Sequence, residues 1–221
     1  MKALTDEKLL LEYRQGRADR FELLVRRYAQ ELYHCVYRLL GSAAAAEDVV
    51  QETFLQVHLA AARFDPRRRF RPWVFTIAVN KARDSLRSRR RQRESSLDNG
   101  AAGAAEGPRF ADLLADANDR PVLALETEER SLRIRSVVSR LPDHLREVLV
   151  LGYYHGMAYK DMADVLGVPL GTVKSRLHAA VAAFGRLHEA EDSGEREPTA
   201  VVEDRESRRP PPRPIDEHDP A

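Results

Sequence analysis

The residues with the richest binding chemistry lie in two stretches. Thr172, Lys174, Ser175, Arg176 and His178 follow one another on a helix-spaced segment. They offer hydroxyl, ammonium, guanidinium and imidazole groups, the types that hold phosphates and read base edges in a major groove. Residues 63–93 carry twelve basic and two acidic side chains, a local charge of +10, and a field of that size attracts polyanions. Nothing in the chain offers comparable catalytic chemistry. The 7 histidines are scattered, and no Ser/His/Asp, His/Cys or paired-carboxylate set falls at a spacing that one helix face would converge. His155, beside Gly156, reads as a turn residue. The run Gly167-Val-Pro-Leu-Gly171-Thr-Val-Lys174-Ser175 lacks the adjacent Gly-Lys pair and the preceding strand of a phosphate loop. The one cysteine, Cys35, can form no internal disulfide, and no Cys/His spacing suits zinc. The expectation is a binding protein with no metal and no cofactor, held together by packing.

The elements that must position these residues read as helices throughout. Apolar residues recur at three and four from Leu4 to Leu187, and strand-like alternation is nearly absent. Thr5 and Asp6 are placed to cap a first helix through about Gln15, with Leu9, Leu10 and Tyr13 inward and Gly16 as its stop. A second helix, about Asp19 to Leu40, carries a seam of Phe21, Leu24, Val25, Tyr28, Leu32, Cys35, Val36 and Leu39 and closes at Gly41. Cys35 on that seam reads as a small core residue. A third helix follows Ser42 with Ala46, Val49, Val50, Phe54 and Val57 inward, ending near Phe64-Asp65-Pro66. Pro72 fits the first turn of a fourth, on which Trp73, Ile77, Ala78 and Leu86 continue the apolar face. Lys81, Arg83, Arg87 and Arg89 to Arg91 load its other side.

A second helical unit begins near Glu128 with Leu132, Ile134, Val137, Val138 and Leu141. Pro142 opens its next helix, through Leu145, Val148, Leu149 and Leu151, and Gly152 and Gly156 bracket the end. From Tyr159 to Leu177 the pattern is that of a helix-turn-helix. Ala163 is small where two helices touch, Gly167 tolerates positive φ at the turn, and Val173 fills the corner. Val165, Leu166, Leu177, Val181 and Phe184 are expected to complete its buried side.

Charge divides the 221-residue chain, whose net +1 is a cancellation. Residues 1–62 carry −1, 94–128 carry −6, 129–190 carry +3 and 191–221 carry −5. The stretch 94–128 is rich in Ser, Ala, Gly and Asn and reads as an acidic flexible linker, with Phe110, Leu113 and Leu114 as a short helix at most. Residues 191–221, charged and Pro-rich, read as a disordered tail. No apolar run approaches the ~20 residues of a membrane span, and Met1 to Leu10 is too charged for a signal peptide, so a cytoplasmic location is expected.

These features together resemble an extracytoplasmic function sigma factor of bacterial RNA polymerase. The stretches Arg20 to Tyr28, Ala46-Glu-Asp-Val-Val-Gln-Glu-Thr-Phe54 and Phe70-Arg-Pro-Trp73 to Asn80 look like the family's first domain in order and spacing. Leu141-Pro-Asp-His-Leu-Arg-Glu-Val148 and Gly171-Thr-Val-Lys-Ser-Arg-Leu177 look like its second. The resemblance implies an all-α chain. Residues 1–93 would be a four-helix, sigma-2-type domain for core polymerase and the minus ten element, and 129–190 a sigma-4-type helix-turn-helix domain for the minus thirty-five element. It implies a non-enzymatic specificity subunit that directs core polymerase to promoters and helps open them. The implied partners are promoter DNA and the core enzyme's beta-prime clamp helices and beta flap; an anti-sigma protein often accompanies the family.

Carried onto this sequence, the resemblance assigns core docking to Asp48, Gln51, Glu52 and Leu55 on the Ala-Glu-Asp helix. Around the minus ten element it implies Phe64, Asn80 and Arg83 near flipped bases and Arg63, Arg67, Arg68, Arg69, Lys81 and Arg87 on phosphates. For the minus thirty-five element it implies Thr172, Lys174, Ser175, Arg176 and His178, with Arg176 foremost at a guanine edge. Asp112, Asp116 and Asp119 would let the linker mimic nucleic acid inside the polymerase. The chain departs from the family in one place: Ala179-Ala-Val-Ala-Ala183 stands where arginines are common, which predicts weaker binding by this domain alone. A stand-alone helix-turn-helix regulator and a sigma-like decoy that sequesters a regulator are the rival readings.

Overall fold

The structure, a computed structural model, describes residues 4–96 and 133–192. The expected linker from residue 97 on, with Phe110 to Leu114 and the three linker aspartates, lies outside the described residues, as does the expected tail beyond 192.

Four helices build the first unit: α1 (Asp6–Arg14), α2 (Ala18–Leu40), α3 (Ala43–Ala60) and α4 (Phe70–Ser96). Each starts or stops where the chain supplies the local chemistry. Thr5 Oγ1 accepts from the Lys8 amide and Ser42 Oγ from the Ala45 amide, satisfying donors that a helix N-terminus leaves open. Gly41 ends α2 at φ 67°, a left-handed conformation that a side chain would oppose.

The α2 seam is buried as its periodicity dictates, with Leu24, Leu32, Cys35 and Val36 fully enclosed. Burial pushes the Cys35 thiol up to about 12, so it behaves as a small apolar residue. Val49, Val50, Phe54 and Val57 of α3 and Phe70, Val74, Phe75, Ala78 and Val79 of α4 fill the same core. Burying Phe75 completely is worth ~1.5–3 kcal/mol relative to leaving it in water.

The second unit comprises α5 (residues 133–140), α6 (Asp143–Leu149), a π-helical turn (Val150–Tyr154), α7 (Tyr159–Leu166) and α8 (Leu170–Asp192). Pro142 precedes α6 as expected, and Gly167 closes α7 at φ 68°, its N–H donating to the Ala163 carbonyl at 2.9 Å. α7 and α8 form the helix-turn-helix, packed through Met162, Val165, Leu166 and Val173.

One expected core residue is not in the core. Val181 is 58% exposed, and Ala180 is fully buried instead. At about 100° per residue, Ala180 returns to within ~20° of Val173's direction, whereas Val181 lies ~80° round the helix. Phe184 and Leu187 are partly buried against the core.

The two units are in direct contact. The π turn and α6 lie on α2, and α7 lies on α4, so the buried apolar residues of both units form one continuous cluster. Among the described residues there is no strand, and no helix is long and apolar enough to cross a membrane.

Candidate nucleic-acid interface

α3 turns Val49, Val50, Phe54 and Val57 inward, which leaves Asp48, Gln51, Glu52 and Leu55 outward, all exposed. Leu55 is 58% exposed, and Leu59, one turn further on, is 65% exposed. Sequence reading missed Leu59, although its i,i+4 spacing from Leu55 carried the signal. The stripe is therefore two carboxylates, an amide and two leucines. Glu52 reaches across to the next helix, where Lys81 Nζ lies 3.0 Å from its Oε2.

The basic side is built by the loop between α3 and α4 and by α4 itself. Arg63, Arg67, Arg68 and Arg69 are exposed around that loop, which is braced by Asp65 Oδ1 accepting from the Arg67 amide at 2.9 Å. Asn80 is exposed, Lys81 half-buried, and Arg87 exposed beside Asp84 at 3.2 Å.

Phe64 departs from its expected place near a flipped base. It is only 6% exposed, its ring 4.7 Å from Trp73 and 6.2 Å from Phe70 by centroid. An aromatic flanking a loop gains more by joining two neighbouring rings in the core than by waiting in water for a base. Trp73, half-buried against the same rings, packs on the core as its periodicity implied.

Arg83 is also not on an open face. Its Nε and Nη2 donate to Glu147 Oε1 and Oε2 at 2.6 and 2.7 Å, a bidentate pair across the two units. The hydrogen bond to Glu147 raises the Arg83 pKa further above the ordinary guanidinium value, outweighing burial. Arg69 is paired with Asp161 of α7. Arg71 binds Glu31 and donates to the His155 carbonyl at 2.8 Å. Burial pushes the Glu31 carboxyl up, yet hydrogen bonds from His155 and Arg71 hold it below its usual value.

His155 is a turn residue by backbone, as read from the sequence, but its side chain is 5% exposed and its ring lies 5.4 Å from Phe75. From the second unit, Arg146 donates to the Leu39 carbonyl at 2.8 Å. None of these contacts between units was legible from spacing.

At the start of α8, Lys174, Ser175 and His178 are exposed and Thr172 and Arg176 half-exposed. Their side opposes buried Val173 and Ala180. Among the described residues no cluster of His, Cys, Asp and Glu could hold a metal ion.

A helix-turn-helix with a polar second helix, seated on a helical unit with a basic helix and an acidic-apolar one, defines a class: two-part helical proteins that work on DNA beside a protein partner. Residues 24–92 match Sigma-70 region 2 and residues 131–184 match Sigma-70, region 4. The chain is 32% identical over 172 residues to the ECF RNA polymerase sigma factor SigW of Bacillus subtilis, covering 78% of this chain and 90% of that one. The solved structure of CnrH in complex with the cytosolic domain of CnrY is similar at TM-score 0.61 and 28% identity, covering 84% of this chain and 98% of that one. The sigma factor RpoE of Bartonella quintana, solved with the anti-sigma factor NepR, shares the fold at TM-score 0.59 and 23% identity, covering 77% and 98%. The chain belongs to the ECF RNA polymerase sigma factors, transcription initiation factors that direct RNA polymerase to promoters. The family is not an enzyme family.

Proposed function

We propose that this chain divides the work of a sigma factor between the two units as the sequence suggested. Residues 1–93 bind core polymerase and the minus ten element, 94–128 are the connecting strap, 129–190 bind the minus thirty-five element, and 191–221 are a tail. The α3 stripe of Asp48, Gln51, Glu52, Leu55 and Leu59 docks on a basic helical surface of the polymerase, the beta-prime clamp helices. The exposed acid-apolar composition supports this, because opposite charge steers encounter while a leucine supplies desolvated contact area. Arg63, Arg67, Arg68, Arg69, Lys81 and Arg87 hold phosphates of the opened strand, and Asn80 and Arg83 meet its bases. Thr172, Lys174, Ser175, Arg176 and His178 read the minus thirty-five element in the major groove, with the beta flap beside them. The chain carries out no chemistry of its own and acts in the cytoplasm. An anti-sigma protein is a candidate further partner, since relatives such as the Bartonella quintana RpoE are solved in complex with one.

The observation that carries this reading is the pairing, on adjacent helices, of an exposed acidic-apolar face with a basic one; a stand-alone DNA-binding regulator has no use for the first. The test is run-off transcription from genomic fragments with purified core polymerase. Discrete transcripts that require the chain are expected. A chain that elutes apart from core and supports no transcript overturns the reading.

A further inference from the structure

The basic loop between α3 and α4 is a run of exposed residues, Asp65 to Arg69, bracketed by two buried ones, Phe64 and Phe70. The rings of those two phenylalanines stand edge to face, 6.2 Å apart by centroid, and close the base of the loop. α1 takes hold of the backbone of the same two residues. Glu7 Oε1 accepts from the Phe70 amide at 2.9 Å, and Arg14 Nη1 donates to the Phe64 carbonyl at 3.4 Å. Two helical turns apart, Glu7 and Arg14 come round to within ~20° of each other, so one face of α1 spans both ends of the loop.

The helix that makes this grip is itself firmly seated. Leu9 and Leu10, between the two polar residues, are fully buried. Asp6 Oδ2 accepts from the Tyr28 hydroxyl at 2.5 Å, and the Tyr28 ring packs 5.2 Å from that of Phe70. The Phe70 amide is one of the donors that the N-terminus of α4 leaves open, so Glu7 also fixes where that helix begins. α1 lies ahead of the stretch matched to Sigma-70 region 2, residues 24–92.

We propose that Glu7 and Arg14 are positioning residues for strand capture: they hold the two ends of the Asp65 to Arg69 loop, so that its arginines meet the opened strand already in place. This rests on the assignment above of the loop arginines to phosphates, and adds the element that arranges them. Glu7 and Arg14 act through the loop backbone and make no contact of their own with the strand. A loop pinned at both ends has little backbone freedom left to lose on binding, and the cost avoided appears as affinity. The grip also predicts a sign that charge alone would reverse. Taking a carboxylate away from a DNA-binding unit tightens its hold on a polyanion by long-range attraction, whereas losing Glu7 as an acceptor loosens the loop and weakens that hold.

The test uses the full chain saturated with core polymerase and a labelled oligonucleotide carrying the nontemplate strand of a promoter found by run-off transcription, followed by fluorescence anisotropy. Glu7→Gln removes the charge and keeps the acceptor oxygen; Glu7→Ala removes both. Glu7→Gln is expected to bind the strand within about twofold of the parent, and Glu7→Ala about tenfold more weakly. Arg14→Ala, at an exposed position, is expected to weaken binding about threefold without changing the slope of log affinity against log salt, because no phosphate contact is lost. Affinity for core polymerase, carried by α3, is expected to stay within about twofold in all three variants. Glu7→Ala binding as tightly as Glu7→Gln overturns the proposal, and so does a strand loss matched by an equal loss for core, the mark of general unfolding. Should Glu7→Ala fail to fold, Arg14→Ala decides: unchanged affinity, or a salt slope smaller by about one contact, overturns the positioning role. A chain that yields no transcript overturns the sigma reading and the positioning role with it. Transcripts with equal strand affinity in every variant overturn the positioning role alone.

Discussion

Reversing charge on the α3 stripe, Asp48→Arg with Glu52→Arg, separates binding from folding. Both residues are exposed, and arginine is a good helix former. The ion pair lost is with Lys81, 3.0 Å from Glu52, with the two side chains 34% and 56% exposed. A pair that open to water is worth ~0–1 kcal/mol, so unfolding in urea should shift by no more than that. Docking should suffer far more. An opposite-charge pair 4 Å apart contributes ~1 kcal/mol even under water-like screening, and reversing one partner changes that by about twice as much. The two sites together lose ~4 kcal/mol, roughly a thousandfold in affinity for core polymerase. Titration of labelled chain with core enzyme at 0.15 M salt reads the loss, with a urea melt run in parallel. A folded variant whose affinity stays within threefold of the parent would refute the docking assignment and move the polymerase contact off α3.

Other expectations follow from the same structure. Arg176→Ala should cost ~1–3 kcal/mol at a single base position of the minus thirty-five element, measured by competition with single-base variants; a uniform loss at every sequence would make it a phosphate contact. Val181→Lys should leave urea stability within ~0.5 kcal/mol, whereas Ala180→Lys, at a fully buried position, should cost several. Glu31 titrates lower in the folded chain than its ordinary 4.5. The stability it lends is therefore complete above that value and drains away as pH falls through the folded one. Energy transfer between dyes placed on Lys8→Cys and Ala182→Cys, one exposed position on each unit, should drop as pH falls below the ordinary 4.5, and Glu31→Gln should flatten that part of the profile.

How far the sequence reaches depends on the range of the interaction. The α2 seam, the caps at Thr5 and Ser42 and the left-handed Gly167 are local: each is fixed by spacing within a few turns, and each forms where the pattern puts it. The outward faces of α3 and α8 follow from the same periodicity, and so does Leu59. Val181 was misplaced because an alanine-rich run offers no contrast, and only the phase from Val173 distinguishes its face from Ala180's. The contact between the two units was illegible for another reason. Arg83 and Glu147 are 64 residues apart, and a surface charge in sequence looks the same whether it faces water or a partner. The burial of Phe64 depended likewise on where Phe70 and Trp73 would lie.

The π turn at Val150–Tyr154 has a geometric consequence. Its wider loop spends a residue more than an α turn would, and the Met157 amide reaches back to the Leu151 carbonyl at 3.1 Å to seal it. That surplus residue sets the phase of all that follows: Tyr153 points into water, 80% exposed, and the His155 ring points onto Phe75. Deleting it would turn the helix-turn-helix by about 100° against α6. The chain's reading head would then keep its shape while aiming away from its footing on the first unit.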